Sequence, residues 1–117
     1  MTFDRRRVAG DRRQNLRVPA VFAVKQAVAA AGRIQLCQAE DIGPAGITIR
    51  RPRGRGLESR TEVALAFALP GSREEIAARG LVMNDGVSGS FRRTGVRFIA
   101  LRPEHVQLIA GYCRVTR

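Results

Sequence analysis

The chain has 117 residues, 44% of them hydrophobic, and 21 basic against 10 acidic side chains give a net charge of +11. That length holds one domain with a modest core, and that apolar fraction excludes wholesale disorder. No run of about 18 apolar residues is present, which excludes a membrane-spanning helix.

Residues 1–16 read as a mobile basic arm: Arg5, Arg6, Arg7, Arg12 and Arg13 face only Asp4 and Asp11, and no apolar period appears. Order is expected from Leu16 or Arg17, so the folded domain is placed at 17–117. From Val18 the period is near two, with Val18, Ala20, Phe22 and Val24 pointing one way. Ala29–Gly32 marks a turn, and Ile34, Leu36 and Gln38 lie on a second strand. Glu40–Gly46 is rich in turn formers, and Ile47 and Ile49 alternate on a short third strand. Pro52–Gly56 reads as an exposed basic loop.

Val63, Leu65, Phe67 and Leu69 alternate with Ala64, Ala66 and Ala68, the clearest strand pattern in the chain. Ile76–Asn84 is predicted as another strand, Asp85–Ser90 as a loop, and Phe91–Ala100 as the last strand, with Val96 and Phe98 inward. The period then changes. Pro103 suits a first helical position and Glu104 the positive end of the helix dipole. Val106, Ile109, Ala110 and Cys113 follow helical spacing, predicting a helix over 103–113. Six short strands and a terminal helix make an all-β domain: a small antiparallel barrel, or a sandwich, which periodicity does not distinguish.

Among the basic residues only Lys25 is lysine. Arginine presents a planar fork of donors that matches phosphate oxygens and the guanine edge. A chain this cationic attracts polyanions, whether nucleotide, nucleic acid or membrane surface. Cys37 and Cys113 are far apart and belong to no metal-ligand set. They are expected as buried small side chains in a reduced, cytoplasmic setting, with no metal bound. His105, the only histidine, is expected on the outer side of the helix. Adjacent on a strand, Glu40 and Asp41 are expected to face opposite ways and make a poor acid pair. With no nucleophile–base set, an enzyme is not expected.

Arg13-x-x-x-Arg17 stands directly before the first strand, and Asp41-Ile42-Gly43-Pro44-Ala45-Gly46 lies between the second and third. Together with Gly95-Val96-Arg97-Phe98 and Leu101–Glu104, these stretches resemble the PilZ family from about residue 12 to the C-terminus. The resemblance implies a six-stranded antiparallel barrel with a C-terminal α-helix. It also implies binding of cyclic di-GMP, a bacterial second messenger, under the arginine arm. On these positions Arg13 and Arg17 would hold phosphates and the guanine Hoogsteen edge. Asp41 would accept from guanine N–H groups, and Gly46 would allow close approach or supply a positive φ. Arg12 resembles the extra arginine of members that take up an intercalated ligand dimer, and Arg50 is a further candidate contact.

Gly43 stands where the family has serine. A missing hydroxyl removes a hydrogen bond of about 1 kcal/mol, or about 1.5–3 to a charged group, and a serine restored there would be expected to tighten binding. The function expected is a stand-alone receptor whose arm rearranges on ligand binding and which signals through a protein partner, in motility, surface attachment or polysaccharide production. The alternatives are a PilZ-like adaptor that binds no cyclic di-GMP and a basic nucleic-acid-binding barrel. The last lacks a helix-turn-helix pattern and aromatic stacking platforms.

Overall fold

The structure is a computed structural model that describes residues 16–29 and 32–116. Seven strands precede one helix: β1 (Val18–Pro19), β2 (Ala23–Val28), β3 (Ile34–Gly43), β4 (Gly46–Pro52), β5 (Glu62–Phe67), β6 (Ile76–Ser88), β7 (Phe91–Leu101) and α1 (Pro103–Thr116). The order β3-β2-β5-β6-β7-β4 is antiparallel throughout, and β4 pairs back onto β3. The six strands therefore close into a barrel, and β1 lies beside the end of β3, with Val18 opposite Ile42.

The barrel is filled by the alternating apolar residues. Val24, Ile47, Ile49, Val63, Leu65, Phe67, Ile76, Val82 and Val96 are all at most 3% exposed. Aliphatic side chains of this size pack a narrow barrel without large rings. The run from Val18 is not one strand. Pro19 has no N–H to donate, and pairing resumes only at Ala23, with Ala20 N–H to Glu40 O (2.9 Å) and Ala39 N–H to Phe22 O (2.8 Å) bridging the break.

Two predicted loops are shorter than expected. Glu40–Gly43 belongs to β3 and only Pro44–Ala45 turns; Asp85–Ser88 belongs to β6 and only Gly89–Ser90 turns. The second case has a cause inside the barrel. Asp85 points inward and accepts from Arg51 Nη2 (3.1 Å), Arg92 Nη1 (2.9 Å) and the Leu57 N–H (3.0 Å). Arg51, though charged, is 4% exposed. It also donates to Thr94 Oγ1 at 2.9 Å and Gln35 Oε1 at 3.3 Å. One end of the barrel is thus closed by a satisfied ionic network in place of apolar side chains.

The other end is covered by α1. Its inward stripe is His105, Ile109 and Cys113, spaced by four, while Val106 is 36% exposed. His105 is therefore buried rather than on the outer side: the stripe that ends at Cys113, whose thiol donates to Ile42 O (3.5 Å), reaches back to it. Both cysteines are buried and free, and burial pushes both thiols up, Cys37 to about 11.

Candidate functional site

Strand alternation alone would send Glu40 and Asp41 to opposite faces. The β3–β4 register slips between Ala39 and Asp41, and Ala39 and Ile42, three apart, are 1% and 0% exposed. The inserted residue of this bulge leaves both carboxylates on the outer wall. This corrects the expectation that they diverge.

Asp41 is met by Arg17, which stands just before β1. Arg17 Nη1 donates to Asp41 Oδ1 at 2.8 Å and to Thr48 Oγ1 at 3.0 Å. Two glycines make room for this entry. A Cβ on Gly46 would overlap the Val96 carbonyl oxygen and stand 2.9 Å from Arg17 Nη2, and one on Gly43 would overlap the Leu16 carbonyl oxygen. Neither has a positive φ. Gly46 is therefore needed for close approach, and the place of the family's serine side chain is taken by the Leu16 backbone.

Glu40 gathers two further arginines. Arg50 Nε donates to Oε2 at 2.6 Å, and Arg93 donates through Nε (2.9 Å) and Nη2 (3.0 Å). The Arg93 hydrogen bond, helped by Arg50, holds the Glu40 carboxyl below its ordinary value despite some desolvation. The Arg50 guanidinium carbon also lies 4.6 Å from the Phe91 ring centroid.

Pairing of β4 with β7 sets Gly46 opposite Arg97, Thr48 opposite Gly95, and Arg50 opposite Arg93. The outcome is a shelf over Gly46 and Thr48 bordered by Arg17, Arg50, Arg93 and Arg97, while the Asn84 amide covers Gly95 and accepts from its N–H at 3.2 Å. Arg97 is exposed and makes no ion pair or side-chain hydrogen bond with the described residues. The Arg17–Asp41 pair is 37% and 34% exposed, so it holds no more than about 1 kcal/mol. A ligand offering phosphate oxygens and purine N–H groups can exchange with it.

The structure brings Arg17, Asp41, Gly43 and Gly46 together and puts Arg50 on the same wall; Arg12 and Arg13 lie outside the described residues. The sequence reading did not assign Thr48, Arg93, Gly95 or Arg97 to the site. Thr48 shares the parity of Gly46 and Arg50 and was detectable, but the β7 residues required the register. Arg92 and Arg93 are engaged by Asp85 and Glu40. No group of three or more metal-ligating side chains occurs among the described residues.

A family model described as PilZ domain matches residues 11–114. No curated protein matches the chain. Among solved structures it is similar to the inhibitor of motility MotI/DgrA of Bacillus subtilis, with a TM-score of 0.79 and 19% identity over 88% of this chain and 50% of that one. It is similar also to the PilZ domain of YcgR from Escherichia coli with c-di-GMP (TM-score 0.65, 11% identity, 86% and 87% covered). A third is the PilZ domain of CeSA from a cellulose-synthesizing bacterium (0.63, 20%, 82% and 96%). The chain spans half the length of the first of these.

Proposed function

Because the chain belongs to the PilZ domain family, we propose that it is a receptor for cyclic di-GMP that binds on the β3–β4–β7 shelf and signals through protein contacts. The observation that carries this reading is the meeting of Arg17 with Asp41 and Thr48 above Gly46. It joins two stretches 24 residues apart in sequence. Guanine O6 and N7 accept from arginine, guanine N1 and N2 donate to a carboxylate, and the two phosphates need cations.

In the proposed complex, Arg17 releases Asp41 to the guanine and turns its donors to the ligand. Arg12 and Arg13, from the same stretch, and Arg50 supply further cations. Gly43 and Gly46 let the backbone lie close. The YcgR PilZ domain with c-di-GMP supports the ligand, and the likeness to an inhibitor of motility supports an output in motility. A cytoplasmic setting belongs to the proposal. No described helix is long and apolar enough to cross a membrane.

A second reading, an adaptor that binds protein without the ligand, is favoured by one observation: the Leu16 backbone already fills the space over Gly43. Titration calorimetry with cyclic di-GMP separates the two. Saturable binding weakened about tenfold or more (about 1.4 kcal/mol) in both Arg17→Ala and Asp41→Ala supports the receptor. Absence of heat in the parent chain overturns it in favour of the adaptor. Binding of any polyanion, indifferent to Asp41, points to a nucleic-acid role.

A further inference from the structure

The outer face of an antiparallel sheet normally carries polar side chains where it meets water. On the wall of β2, β5 and β6, across the barrel from β4, alanines take the central places, with Lys25, Glu62 and Arg79 around them. Ala27 sits opposite Ala64, and Ala66 opposite Ala77, all directed outward. Ala100 extends the row past Arg79. Because these side chains are short, the wall is hollow, with an open cavity of about 790 Å³. On its β3 flank Ile34 and Leu36 stand 68% and 67% exposed.

We propose that this groove is the docking site for an amphipathic helix of an acidic partner protein, independently of whether the shelf binds cyclic di-GMP. Three observations select that occupant. First, both edges of every floor strand are paired within the barrel, so a partner cannot add a strand and must enter with side chains. Four strands spaced about 4.8 Å apart span about 14 Å, enough for a helix about 10 Å across. Second, Lys25, Arg79 and Arg102 line the groove, and among the described residues Lys25 has no carboxylate partner while the lining itself holds no carboxylate. Glu62 and Glu104 pair with Arg79 and Arg102 at the rim, so the uncompensated charge at the groove is that of Lys25, within a chain of +11. Third, two copies of a chain of charge +11 repel, which disfavours a second copy as the occupant.

The probe is a labelled synthetic helix of about 18 residues, five turns, with a leucine stripe flanked by glutamate. Its controls are a scrambled peptide of the same composition and a lysine-flanked counterpart. Fluorescence anisotropy is read at about 0.15 M salt, where long-range attraction is screened. The acidic amphipathic helix is expected to bind the parent chain and to bind Ala66→Gln at least about tenfold more weakly; that variant fills the groove without altering charge. Circular dichroism checks its fold, and Ala64→Gln, at a more exposed position, replaces it if it unfolds. Equal binding of the scrambled or lysine-flanked peptide, no binding, or indifference to the substitution overturns the proposal. So does self-association in sedimentation that Ala66→Gln abolishes, which would give the groove to a second copy.

Discussion

Gly43 has the least space of the residues around the shelf. Any side chain there meets the Leu16 carbonyl, so Gly43→Ser does not restore a lost hydrogen bond. It is expected to lower stability by about 1–3 kcal/mol, the cost of overpacking, and to weaken cyclic di-GMP binding, read by urea denaturation and calorimetry on the same preparation. A variant that binds more tightly and unfolds no sooner would show that Leu16 is not seated there in solution. Glu40 has the opposite effect. It occupies Arg50 and Arg93, and Glu40→Gln leaves both guanidinium groups without a carboxylate partner there. Binding of cyclic di-GMP is expected to tighten by about two- to fivefold, the scale of an exposed ion pair. Unchanged or weaker binding in calorimetry would remove Glu40 from any competing role.

At the scale of elements, the hairpin of β6 and β7 is held from inside by Arg51 and Asp85, whose side chains are 4% and 3% exposed. Burial alone would raise the Asp85 carboxyl, yet the Thr94, Leu57 and Arg51 hydrogen bonds outweigh it and hold the carboxyl low. Asp85→Asn leaves a buried guanidinium without its counter-charge and is expected to cost about 3–5 kcal/mol. Adding an apolar pair, Arg51→Met with Asp85→Leu, is expected to recover much of that loss. A urea midpoint that barely moves in Asp85→Asn would mean that water reaches the network. The six barrel strands and the helix were legible because the alternation of Val63, Leu65 and Phe67 and the Pro103-Glu104 start are strong local signals. The inward course of Arg51 follows the parity of Ile47 and Ile49, a phase signal that its charge obscures. Asp85-Gly86 resembled a turn because its partner, Arg51, lies 34 residues away. The bulge at Glu40 was not legible, because an inserted residue changes facing without changing composition. Arg17, Asp41, Gly43 and Gly46 were readable from their spacing, whereas Arg93 and Arg97 came to the shelf through strand register.

For the whole molecule, charge and pH act together. Glu40 and Asp85 both have lowered carboxyl values. Their contribution is complete above about pH 4.5, the ordinary carboxylate range, and is lost as pH falls through the lowered values. Acid also adds positive charge to a chain already at +11, which increases self-repulsion. Urea stability is therefore expected to fall between pH 7 and pH 3, with the fall smaller in Glu40→Gln/Asp85→Asn. An unchanged fall would assign acid sensitivity to other groups.

Strand β1 has only two residues, and it stands between the outer shelf and the core. Arg17 lies on the outside with Asp41, while the next residue, Val18, is sunk in the interior at 2% exposure and paired with Ile42. Arg17, just before this strand, and Val18, its first residue, act as handle and bolt of one latch. Whatever draws on the handle also loads the bolt, so events at the surface become readable in the packing beneath the helix. Amide hydrogen exchange at Val18 and Ala20 is where that transmission should be measured.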